Sequence, residues 1–213
     1  MAQPISVPRW QRRPDDRPDE ILDAAMTVFG EVGFARAKLD DVAKRAGVSK
    51  GTLYLYFDSK DALFREMVRS KVVTHLVFAE SLLNQGETSA REILEQFIRG
   101  WWDVARRPEM ARLTRLVHSE IANFPELARF FAEEVIQRTR RLMRAIFALG
   151  VAKGEFRDAP NDFPCWAVAS LVVHGAMRQR FFAPHDAEAL TDDQVVDGIV
   201  DLILHSIAVP HDR

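Results

Sequence analysis

Residues 39–63 read Leu-Asp-Asp-Val-Ala-Lys-Arg-Ala-Gly-Val-Ser-Lys-Gly-Thr-Leu-Tyr-Leu-Tyr-Phe-Asp-Ser-Lys-Asp-Ala-Leu. Their hydroxyls, ammonium groups and phenols fall at spacings suited to bonding phosphates and base edges. Ser49 is placed to cap a helix starting at Lys50, its hydroxyl accepting a free first-turn N–H. That helix opens Lys50-Gly51-Thr52, a polar start that exposes backbone, and in a helix-turn-helix such residues lie in the major groove. Gly51 costs about 1 kcal/mol of helix propensity relative to Ala, a cost that makes sense where a phosphate or base edge must approach the backbone. Leu53 and Phe57 face inward, while Tyr54 and Tyr56 face outward, where phenols can donate to phosphates. Leu55 has two readings: contact with an apolar group such as a thymine methyl, or packing beside Leu53. Ser59 caps the following helix, and Lys60 beside that N-terminus is expected to meet the DNA backbone.

These groups need a helical frame. Gly47 stands where the preceding helix must stop in a left-handed turn, Val48 plugs the turn, and Val42 and Ala43 face the core. Strand signatures are missing: the chain has two Tyr, no alternating β-branched run and no Asn-Gly or Asp-Gly turn. Apolar residues recur instead at helical spacing. The spacing predicts helices over 19–33, 39–46, 50–57 and 60–83, then one after Gly86 capped by Thr88, one from Pro108, one from Pro125 to a stop at Gly154, and two more over 164–182 and 192–208. The expected fold is all-α: an N-terminal three-helix helix-turn-helix unit (18–64) followed by a helical ligand-binding and dimerisation bundle (65–213). Residues 1–17, with Pro4, Pro8, Pro14 and four arginines, read as a flexible arm.

Composition sets limits on function. The chain has 213 residues and a formal charge of −2, which excludes a uniformly basic nucleic-acid binder but not a local patch. Residues 1–75 hold 13 Lys and Arg against 11 Asp and Glu, and the remainder holds 16 against 20, so the excess of positive charge lies at the helix-turn-helix end. The lone Cys165 cannot form an internal disulfide. No apolar run reaches the ~18 residues of a membrane span, and the first residues lack the apolar core of a signal peptide, so no membrane contact and a cytoplasmic location are expected.

The chain closely resembles the TetR family of transcriptional regulators over about residues 18–64. The resemblance is carried by Asp41-Val42-Ala43, Ala46-Gly47-Val48-Ser49-Lys50-Gly51-Thr52-Leu53-Tyr54, Tyr56-Phe57, Lys60 and Leu63, preceded by Ile21, Ala24-Ala25, Phe29 and Gly33-Phe34. Residues 120–128 also look like the AcrR-type subgroup. The resemblance implies an all-helical homodimer with DNA-reading helices at its N-terminus and an effector site in its body. One departure stands out: the family's usual Ser or Thr at the start of the second helix is replaced by Ala37-Lys38, so Lys38 is left to meet phosphate through charge alone.

Candidate effector-site residues are Phe97, Trp101, Trp102, Leu116, Val117, Glu120, Phe131, Trp166 and His174, each of which also reads as ordinary core. Glu120 sits at the edge of an apolar face, where it would contact a ligand or form an ion pair with Arg115, His118 or Arg178. The last two helices carry more apolar surface than one domain of this size comfortably hides, which places Val168, Val172, Val196, Ile199, Val200, Ile203 and Ile207 in a two-fold dimer interface; the alternative is that they are core helices of a larger bundle. No metal-ligand spacing, nucleophile elbow or phosphate loop is present, so neither catalysis nor a cofactor is expected. The expected function is a repressor that binds a palindromic DNA operator as a homodimer and is released by a small apolar or amphipathic effector. The alternative is an effector-independent DNA-binding regulator with a closed aromatic core.

Overall fold

The computed structural model describes residues 17–83, 88–158 and 162–209. Residues 1–16 of the expected arm and the Gly86 stop lie outside the described residues; Arg17 already belongs to the first helix. The helices are α1 (Arg17–Val32), α2 (Leu39–Ala46), α3 (Lys50–Tyr56), α4 (Lys60–Val68), α5 (Thr74–Leu83), α6 (Ala90–Ala105), α7 (Pro108–Glu120), α8 (Pro125–Phe131), α9 (Arg138–Ala152), α10 (Phe163–Phe181) and α11 (Asp192–Ile207). The described residues hold no strand, only an isolated bridge between Phe156 and Ala208.

Local chemistry sets most boundaries. Ser49 and Ser59 accept the Thr52 and Ala62 N–H groups, each at 3.0 Å, and start α3 and α4. Gly47 at φ 67° ends α2, and Gly154 at φ 71° follows the end of α9. The cap of α6 is Ser89 rather than Thr88: Ser89 and Glu92 form a reciprocal capping box. Lys38 precedes α2 without any side-chain cap, as the Ala37-Lys38 pair predicts.

Two expected long helices are each interrupted by a π-type turn, Arg69–Val73 between α4 and α5 and Ala132–Gln137 between α8 and α9. The chain stays helical through both. Each wide turn inserts residues without breaking the apolar stripe, and such turns recur at functional sites.

The buried apolar residues form two clusters, and their boundary does not follow chain order. One joins α1–α4 to Met110, Leu113 and Leu116 of α7 and to Leu127 and Phe130 of α8. The other joins Leu76 of α5 to α6, α9, α10 and α11. This arrangement corrects the expected dimer interface. Val168, Val172, Val196, Ile199, Val200, Ile203 and Ile207 are all buried inside the second cluster of one protomer, so none of them can offer a surface to a second copy. Helical spacing shows that a face is covered but not what covers it. The apolar side chains left at the surface here are Phe163, Trp166, Phe181, Phe182 and Leu202.

Lys60 is the other correction. Its ammonium points inward and donates to the carbonyls of Phe34 (2.7 Å), Ala35 (3.2 Å) and Ala37 (3.1 Å). It also lies over the Phe34 ring, 4.6 Å from the centroid. The α1–α2 turn converges three carbonyls on this point, leaving no proton aimed at a DNA backbone. Lys60→Met is therefore expected to lower unfolding free energy by about 1.5–3 kcal/mol, the usual range for charge-assisted bonds, in a denaturant titration. Unchanged stability would contradict the clamp.

Between α5 and α9, Arg138 donates through Nε and Nη2 to the two carboxylate oxygens of Glu80, both at 2.7 Å. This bond holds the Glu80 carboxyl below its usual range of ionisation. A lowered carboxyl pKa adds stability that is present above the unfolded value near 4.5 and is lost as pH falls through the folded value. Because both side chains are partly exposed, Glu80→Gln should cost only about 0.5–1 kcal/mol at pH 7. That difference should shrink toward zero in melts below pH 4, and a pH-independent difference would contradict the assignment.

Candidate nucleic-acid interface and apolar cavity

The exposed face of α3 carries most of the residues singled out by the sequence. Lys50, Gly51, Tyr54, Leu55 and Tyr56 are exposed, and Thr52 is half-buried. The Ser49 hydroxyl, besides capping the helix, lies 2.8 Å from that of Thr52. A Cβ on Gly51 would meet only the Ser49 hydroxyl at 3.8 Å, so nothing inside the chain demands glycine there. Leu55 is 84% exposed and Leu53 is fully buried, which settles their relation: Leu55 does not pack beside Leu53. The Lys50 ammonium pairs with Asp40 of α2 at 2.7 Å, and that contact raises its pKa. Lys38 is exposed beside the start of α2.

The effector-site candidates separate into three groups. Phe97, Trp101, Val117, Phe131 and Trp166 line two joined chambers of about 130 and 260 Å3. Val72, Met110, Thr114, Val135, Thr139 and Val173 line the chambers as well; none of them was among the effector-site candidates. Val72 and Val135 lie within the two π-type turns. His174 lies elsewhere, on an open groove between α7 and α10 that shares Thr114, His118, Trp166 and Val173 with the chambers.

Trp102, Leu116 and Glu120 are not part of the cavity. Trp102 is 2% exposed and packs on Gly175, where a Cβ would sit 3.1 Å from its ring. Leu116 belongs to the cluster shared with α1–α4. Glu120 reaches the α1–α2 turn and accepts the Ala35 N–H at 3.1 Å, in place of an ion pair with Arg115, His118 or Arg178. Gly33 in that turn has φ 83°, and a Cβ there would fall on the Glu120 carboxylate. Glycine is required there on both counts.

The chambers occupy the seam between the two apolar clusters. Val72, Met110, Leu113, Val117, Phe131 and Val135 come from the cluster of α1–α4, and Leu76, Phe97, Trp101 and Cys165 from the other. Their joint volume is within the range of small-molecule sites, roughly 300–1,000 Å3. Few polar groups interrupt the lining. The Cys165 thiol is pushed up to about 11, mainly by burial, and stays protonated. Burial, with Arg107 nearby, lowers the pKa of His75. Asp162 bonds Arg144 through both carboxylate oxygens, which lowers its pKa. His118 Nδ1 lies 2.7 Å from the Thr114 carbonyl and so carries its proton there.

No helix among the described residues is long and apolar enough to cross a membrane, and none of their His, Cys, Asp and Glu side chains cluster as a metal site.

Residues 21–67 match the family model described as bacterial regulatory proteins of the tetR family. Residues 92–206 match the C-terminal domain of AefR-like transcriptional repressors. The HTH-type transcriptional repressor KstR2 of Rhodococcus jostii is 25% identical over 197 residues, covering 92% of this chain and 93% of its own. Among solved structures, the fatty acid degradation regulator FadR from Bacillus halodurans superposes with a TM-score of 0.75 at 22% identity, over 92% of this chain and 97% of its own. FadR from Bacillus subtilis, solved in complex with stearoyl-CoA, gives 0.72 at 20% identity, over 87% and 97%. With both its helix-turn-helix and its body matched, the chain belongs to the TetR family of bacterial transcriptional regulators.

Proposed function

We propose that this regulator is a ligand-responsive repressor that binds a palindromic operator as a homodimer and releases it when a small apolar or amphipathic effector fills the seam. The observation that carries this reading is the double role of α7. One side of α7 lines the chambers with Met110, Leu113, Thr114 and Val117. Elsewhere the same helix holds α1 and the α1–α2 turn: Arg115 Nη2 donates to the Gly30 carbonyl at 2.8 Å, and Glu120 takes the Ala35 N–H. A ligand that fits the chambers better in one position of α7 shifts α1–α3 by that difference in affinity, and by no more. The relatives support the reading: KstR2 is a repressor, and the B. subtilis FadR structure contains stearoyl-CoA.

On DNA, residues 18–64 act as the reading unit. Lys50, Gly51 and Thr52 approach base edges, Tyr54, Tyr56 and Lys38 meet phosphates, and Leu55 meets apolar groups such as a thymine methyl. Ser49 contributes by fixing the start of α3, and Lys60 by holding the turn behind it. Residues 65–213 form the ligand-binding and dimerisation body. The second copy covers the exposed side of α10 around Trp166 and Phe163, which are 62% and 63% exposed, while the inner side of that helix completes the core. The protein works in the cytoplasm, where its DNA partner is.

The reading is tested on a duplex selected from a random pool by the wild-type protein. Tyr54→Ala should weaken binding to it about tenfold, equivalent to 1.4 kcal/mol, with no change in melting temperature; unchanged affinity would remove α3 from the interface. A panel of apolar and amphipathic compounds should include some that release the duplex from the wild type. Gly100→Leu, which has open space at its Cβ and lines the smaller chamber, should still bind DNA but resist release. A panel with no active member would favour an effector-independent regulator.

A further inference from the structure

We propose that the effector carries a single anionic group, received by Arg140 at the rim of the larger chamber while its apolar remainder lies in the seam. This rests on the reading of the seam as the effector site and adds the chemical class of what enters it.

Arg140, an exposed side chain, lines the larger chamber together with Asp162, His118 and Trp166. Asp162 is the only acid among the residues lining either chamber, and Arg144 holds both of its oxygens. Arg138, two residues earlier on α9, is likewise committed to Glu80. Arg140 itself forms no hydrogen bond or close ion pair among the described residues, although its charge is near enough to Asp162 to help lower that carboxyl's pKa. A guanidinium left over in this way offers a planar pair of donors matched to a carboxylate, phosphate or sulfonate.

The cavity also has a direction. Thr139, next to Arg140 in sequence and 7% exposed, lines both chambers, so the path from the rim inward begins at that pair. The smaller chamber is lined by the exposed His75, whose pKa is lowered by partial burial and by nearby Arg107, and its lining residues include no acid or arginine. An anion held at Arg140 lets its apolar body extend past Trp101 into that smaller chamber.

The test compares decanoate with decanol, below micelle-forming concentrations at pH 7.5, by quenching of intrinsic tryptophan fluorescence in the full chain. Wild type should bind decanoate at least about tenfold more tightly than decanol. Arg140→Gln should abolish that preference while still binding decanol, and Arg140→Lys should restore part of it. Equal binding of the two probes by wild type, blocked in both cases by Gly100→Leu, would overturn the anion site and leave the seam as an effector site. A preference for decanoate that survives Arg140→Gln would also overturn it. Failure of wild type to bind either probe would overturn the proposal, and the seam reading falls as well only if the wider compound panel releases no operator.

Discussion

Glu120 and Lys60 reach the α1–α2 turn from different elements, one accepting the Ala35 N–H and the other donating to the carbonyls of residues 34, 35 and 37. Between them the Phe34 ring meets Phe29, Phe64 and Phe124 at centroid distances of 5.4, 5.5 and 4.9 Å. The turn itself forms no regular structure, so its polar backbone groups need these outside partners to be buried without loss. As a result the DNA-reading helices are not an independent bead on a linker. They share their apolar interior with α7 and α8, and their orientation is a property of the body.

That constraint gives the cavity its meaning. Had the two clusters met in close-packed contact, the body would be one block and a ligand would have no place to act. Here the joint is imperfectly filled, and the elements around it are those that can adjust: two π-type turns at 69–73 and 132–137, and α7, which ends one turn before Pro125 begins the next helix. Packed interiors tend to switch between discrete arrangements instead of deforming smoothly. On the proposed function, a molecule in the joint would act on the angle between the helix-turn-helix half and a half built from α10 and α11.

Much of this was legible in the chain itself, where the signal is local. Gly47, Ser49 and Ser59 announce their turns and caps by residue type alone, and the structure has each in that role. The all-helical fold followed from spacing, and the exposed face of α3 from the alternation of Leu53 and Phe57 with Tyr54 and Tyr56. What failed were the expectations for Glu120, Lys60 and the buried faces of α10 and α11, each of which turned on a distant partner. Glu120 finds its hydrogen bond 85 residues away, and Lys60 turns toward carbonyls 23 to 26 residues back. Neither contact leaves a local trace. The valines and isoleucines of α10 and α11 were correctly read as buried, but one buried face looks the same whether it meets its own chain or another. The π-type turns escaped notice because the apolar stripe runs through them, and with them went Val72 and Val135 of the cavity wall.

The central claim is that α7 belongs mechanically with the DNA-reading helices and not with the helices beside it in the body. Native-state hydrogen exchange across a denaturant series measures this directly, since elements that open together share one free energy. The account predicts that slow amides of α7 and α1 merge into one cooperative unit, separable from that of α10 and α11. It would be contradicted if α7 opened together with α10 and α11 while α1–α3 unfolded on their own at lower denaturant.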